Sequence, residues 1–139
     1  MNVARFLISF VALFCYGGLL ADAVIPFTAK MHLWNPKWPP HAKFHNGQTM
    51  LMGILGGSLS LFILFYFRPL TRTYLLLSAA VASLYWLALL LSPLFPGTDW
   101  VDPEFAAEVK HPLGLNPQQL VAYVLCATLA LAIILAVKA

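Results

Sequence analysis

Three of the four histidines in this chain fall within fourteen residues, at His32, His41 and His45, inside the stretch from His32 to Gln48. Imidazole is the side chain whose unperturbed pKa, ~6.5, lies nearest neutrality, so it serves both as a proton shuttle and as a metal ligand. His41, His45 and Gln48 stand at i, i+4 and i+7, which puts all three on one face of a helix drawn through them. Trp34, Asn35, Trp38 and Phe44 share the stretch, and Asp22 sits upstream near the end of an otherwise apolar run. An ionisable residue in such a run is a functional candidate by default, because a carboxylate at mid-bilayer costs ~2.5–3.5 kcal/mol on insertion scales.

Three kinds of chemistry suit these residues. In the first, His41, His45, Asp22 and His32 form a catalytic set that shuttles a proton on a lipophilic small molecule without a cofactor. Trp34, Trp38, Asn35, Gln48 and Phe44 would then line the substrate site, the indoles also stabilising developing positive charge. Isomerisation, cyclisation or hydration of a terpenoid or lipid fits such a site. In the second, His41 and His45 bind Zn or Fe, with His32, Asp22 or His111 as a further ligand. The Glu of the zinc-protease helix motif is absent from this pair. In the third, the protein is an accessory subunit or assembly factor whose His and Trp side chains bond at interfaces, with Trp34 and Trp38 in an aromatic belt. The partners expected are membrane lipid, a lipophilic small molecule, and a second copy or another membrane protein.

The elements that carry these residues are set by composition. Of 139 residues, 61% are hydrophobic and only 9% charged, mean hydropathy is +0.82, and soluble domains carry about 25% charged residues. The chain therefore reads as all-α: a polytopic integral membrane four-helix bundle, one domain over residues 1–139. A net charge of +3 does not imply nucleic acid, because the basic residues are scattered and form no run. Cys15 and Cys126 each fall inside an apolar span and read as buried structural thiols. No P-loop, Rossmann fingerprint, serine elbow or CxxC string is present.

The expected spans are residues 6–25, 41–67, 74–91 and 117–137, each about the length that crosses ~30 Å of hydrocarbon. The first could also be a signal peptide, with Arg5 before it and Ala21-Asp22-Ala23 as a small-x-small cleavage form; removing it leaves an odd number of spans, so a retained helix is expected. Pro36, Pro39 and Pro40 predict an ordered turn before the second span. Gly53 and Gly57 form a small-xxx-small pair inside it, with Gly17 and Ala21 as a matching surface on the first. Asp102-Pro103 predicts a capped short helix in the last long loop, ending before Gly114 with His111 at its C-terminal end, and Asn116-Pro117 opens the fourth span.

Four spans place both termini on one side and both long loops on the other. All four histidines and all five acidic residues then belong to the loop face or the helix ends beneath it. Lys and Arg divide evenly between the two faces, and the short connection bearing Arg68 and Arg72 points to cytoplasmic termini and an extracytoplasmic or lumenal His-rich face. Asp22, Thr28 and the pattern His32-x-x-Asn35-Pro36-x-Trp38-Pro39-Pro40-His41-Ala42-x-Phe44-His45 resemble an uncharacterised family of small four-helix membrane proteins found in microbes, over most of the chain. The resemblance implies fold and membrane location and no reaction. Size and topology are more loosely similar to DoxX-like and sterol-isomerase-like four-helix proteins.

Overall fold

The computed structural model describes residues 1–138, and those residues are all-helical. Four segments are long and apolar enough to cross a membrane: Asn2–Val24, Pro40–Tyr66, Arg72–Leu94 and Pro117–Lys138. The first is not one regular helix. It comprises α1 (Asn2–Phe14), a single turn α2 (Gly17–Leu19) and a π-helical stretch at Leu20–Val24, closed by the Ile25 amide donating to the Leu20 carbonyl at 2.8 Å. A further turn, α3 (Pro26–Ala29), opens the first long loop. The other spans are α4 (Pro40–Tyr66), α5 (Arg72–Leu91) and α6 (Pro117–Lys138).

Local chemistry sets most of these ends. Pro40 takes the first helical position of α4 behind an extended Pro39, where its missing N–H is no loss. The helix stops at Phe67, before Arg68-Pro69. The α5 helix begins two residues earlier than the apolar pattern predicts, because Thr71 Oγ1 caps it by accepting from the Tyr74 amide. The first span likewise starts at Asn2 rather than near residue 6. The helix expected after Asp102 is reduced to two 3-10 turns, Pro103–Phe105 and Pro112–Gly114. Asp102 makes no cap bond, and its carboxylate is used elsewhere.

The four long helices close into a ring: α1 touches α4, α4 touches α5, α5 touches α6, and α6 returns to α1. The interior is built largely from small residues, among them Ala12, Cys15, Ala79, Ala82, Ala122 and Ala132, while Phe6, Leu55, Phe62 and Leu84 point outward. Lipid tails are as apolar as leucine, so helices associate through close packing rather than expulsion of water, and small residues permit it. Gly57 and Gly53 show how close: a Cβ on either would stand 2.5 Å from the carbonyl oxygen of Ala12 or Cys15. The glycine pair is therefore a contact surface, as the sequence predicts. Its partner is the Ala12–Cys15 turn and not Gly17, which faces open space. Between α4 and α5, Ser60 and Ser78, both fully buried, each donate to the other's carbonyl at 3.0 and 2.9 Å.

Replacing Gly57 or Gly53 by leucine should therefore force α1 and α4 apart. Overpacking of this kind costs about 1–3 kcal/mol or more, read as a lowered midpoint in thermal unfolding of the detergent-solubilised protein. Gly17→Ala should leave the midpoint unchanged.

Candidate functional site

The last residues of the first span leave carbonyls without helical partners, as every helix end does, and the loop folds back over them. Thr28 Oγ1 donates to the Ala21 carbonyl at 2.5 Å, the Leu33 amide to Asp22 O at 3.2 Å, and the Trp34 indole N–H to Ala23 O at 2.9 Å. Three consecutive carbonyls are thus capped by groups from one loop. That fixes the loop against the helix end and turns His32 towards Asp22.

The result is a polar cluster at the end of the bundle. His32 Nδ1 lies 2.9 Å from the Thr28 carbonyl oxygen and 3.5 Å from Asp22 Oδ1. A carbonyl can only accept, so Nδ1 carries the hydrogen, and in the neutral ring Nε2 holds the lone pair. On the far side of the carboxylate, Asn46 Nδ2 donates to Asp22 Oδ2 at 2.6 Å. This fixes the amide's orientation and leaves Asn46 Oδ1 buried with no partner among the described residues. The Trp38 ring meets His32 edge-on at 5.7 Å. The His32 and Asp22 side chains are 30% and 18% exposed, covered yet reachable.

His41 and His45 do not join this cluster. Both are exposed, their Nε2 atoms 3.1 Å apart, with Gln48 accepting from His45 Nδ1 at 3.1 Å and Phe44 stacked over His41. The i, i+4, i+7 face is real, but it is the outward face of α4, because Asn46, Met50, Gly53 and Gly57 occupy the inward one. The expected proton-shuttling set therefore splits into two groups. The three-histidine metal set of His41, His45 and His32 does not assemble: among the described residues no three His, Cys, Asp or Glu side chains converge to hold an ion. His32 is drawn inward by Thr28 and Asp22. His111 is exposed in the other loop, at the junction of two open clefts of about 730 and 460 Å³.

The residues expected to line a substrate site have mostly found partners within the protein. The Trp38 indole donates to Asp102 at 3.1 Å, and the Trp34 indole is spent on the helix end. Asn35, buried to 1% exposure, donates to Glu104 at 3.0 Å and accepts from the Lys37 amide. Lys37 also pairs with Glu104 through its ammonium, and Lys30 pairs with Glu108 at 2.6 Å. The two long loops are thereby clamped together over the site. Lys37, first, and Asn35 hold the Glu104 carboxyl below its ordinary value of 4.5. Asn46 and Glu104 are the residues that sequence reasoning missed. An Asn beside two conspicuous histidines draws no notice, although its position seven residues before Gly53, on the face that meets α1, marks it as inward.

The family model of DUF6640, a family of unknown function, matches residues 11–138. No curated protein and no solved structure matches the chain.

Because the Glu104 pKa is depressed on folding, the stability that it contributes is present in full above its ordinary value and is lost as pH falls below 4.5 through the folded value. Once corrected for the intrinsic rate, which itself falls as the pH drops, amide protection in residues 26–39 and 99–110 should decline as the pH is lowered below 4.5. Glu104→Gln should show fast exchange already at neutral pH, with most of that pH dependence gone. Unchanged exchange in the variant would mean that the clamp does not order the loops.

Proposed function

The chain belongs to DUF6640, and from its own residues we propose that it is a multi-pass membrane protein performing acid–base chemistry on a lipophilic small molecule, with His32 as the proton-transferring group. The observation that carries this reading is the His32 ring. Its Nδ1 is fixed by the Thr28 carbonyl and Asp22, and its Nε2 is left as a base.

In this reading His32 Nε2 takes a proton from the substrate, Asp22 stabilises the imidazolium that results, and the same nitrogen returns the proton at a second position. Net composition is unchanged in an isomerisation or cyclisation, and a hydration adds one water. Asn46 holds the carboxylate in line through its amide N–H. Trp38 provides an aromatic wall beside the ring. The substrate is apolar because the cluster sits at the end of a membrane-spanning bundle, where a lipid-soluble molecule arrives laterally. We place the termini on the cytoplasmic side and the His32 face on the extracytoplasmic or lumenal side, on the strength of the short Arg68–Arg72 connection.

A second reading, an accessory subunit, draws on the two tryptophans, whose indole N–H groups both bond within the protein, Trp34 to the end of the first span and Trp38 to the second long loop. The two separate by isotope exchange. Purified protein is incubated with a lipid extract of its native membrane in D2O, and the extract is analysed by mass spectrometry. The proposal expects one lipophile to gain deuterium with the wild type. His32→Ala and Asp22→Asn should slow the exchange by about 10²–10⁴-fold, and His41→Ala should leave it intact. No deuterium with the wild type would leave the accessory reading standing, and full exchange in a folded His32→Ala variant would take the proton-transferring role from His32.

A further inference from the structure

The outward face of α4 carries a second arrangement, separate from the His32–Asp22 cluster and not needed by it. His41 and His45 lie one turn apart and aim their Nε2 atoms at each other across 3.1 Å. Two metal–imidazole bonds of 2.0–2.1 Å enclosing an angle between 90° and the tetrahedral value place their nitrogens about 2.8–3.4 Å apart. The observed separation falls within that range. The pair has the spacing of two neighbouring corners of a coordination polyhedron before any ion is present.

The surrounding groups prepare the same nitrogens. Gln48 Oε1 lies 3.1 Å from His45 Nδ1; an amide oxygen only accepts, so the His45 hydrogen sits on Nδ1 and its Nε2 is a lone pair. An outer hydrogen bond of this kind sets tautomer and ring orientation for a ligating imidazole. Phe44 lies parallel to His41, with 4° between the ring planes and 6.1 Å between their centres. Without metal, His41 Nε2–H donates to His45 Nε2. When an ion enters, the hydrogen of a neutral His41 moves to its exposed Nδ1 and both Nε2 atoms become ligands. All three polar residues are exposed, so water completes the coordination.

We infer that His41 and His45 form a two-imidazole site for a borderline divalent transition ion such as Zn²⁺, Ni²⁺ or Cu²⁺, with Gln48 as its positioning residue. An all-nitrogen donor pair discriminates against Mg²⁺ and Ca²⁺, which take oxygen ligands.

The test uses the full chain in detergent, purified without a polyhistidine tag and stripped with chelator. Calorimetric titration with Zn²⁺ should show one ion per chain. His41→Ala and His45→Ala should each weaken binding by more than about tenfold, and Gln48→Ala by about tenfold. His32→Ala and His111→Ala should bind as the wild type does. With Cu²⁺, electron paramagnetic resonance should show coupling to two imidazole nitrogens in the wild type and to one in His41→Ala. Circular dichroism establishes that each variant keeps its helix content; exposed helix positions tolerate alanine well. No Zn²⁺ binding by the wild type would overturn the assignment, as would binding that survives in the His41→Ala/His45→Ala double variant or is lost in His32→Ala.

Discussion

A helix that ends at a membrane boundary must find partners for its last carbonyls, since an unsatisfied backbone group in an apolar medium costs several kcal/mol. The first span meets that demand with its own downstream loop. The Thr28 hydroxyl, the Leu33 amide and the Trp34 indole each take one of the carbonyls of Ala21, Asp22 and Ala23. Everything at this face follows from the folding back. It brings His32 to Asp22, presents Asn35 and Lys37 to the second loop, and leaves Pro39 and Pro40 to start α4 where Asn46 meets the same carboxylate. Thr28 and Trp34 hold the loop that holds the site.

Helix packing supplies the second coordinate. Gly53 and Gly57 let the α4 backbone rest against the carbonyls of Cys15 and Ala12. Asn46 lies two turns from Gly53 along α4, and Asp22 lies seven residues beyond Cys15, so the bond between them forms at the end of the seam that the glycines create. Larger residues in that seam would carry the amide away from the carboxylate. Stability and site geometry thus depend on the same close approach.

Much of the architecture was legible in the sequence. The four apolar runs, the prolines that open α4 and α6, and the glycine seam are local signals, and local signals survive folding. Asp22 was legible as well: it continues the spacing of the buried residues Ala4, Ile8, Val11 and Cys15, at steps of three and four. What was hidden was direction. The spacing of His41, His45 and Gln48 says that they share a face and does not say which face, and only the position of the glycines seven and eleven residues beyond Asn46 turns them outward. The π-helical stretch had no visible signal, because its cause is the loop's capture of carbonyls many residues away. Asp102 was a plausible cap by type, yet the Trp38 indole claimed its carboxylate across the face.

The reciprocal serine pair between α4 and α5 has a bearing on motion. Ser60 and Ser78 exchange hydrogen bonds with each other's backbone in a fully buried setting, and a slip of one helical turn, about 5.4 Å, would break both cross-helix bonds and leave each hydroxyl only a carbonyl of its own helix. The two helices of this hairpin therefore favour a single axial register. Since the first span carries Asp22 and α4 carries Asn46, the boundary between that span and the hairpin runs through the polar cluster itself.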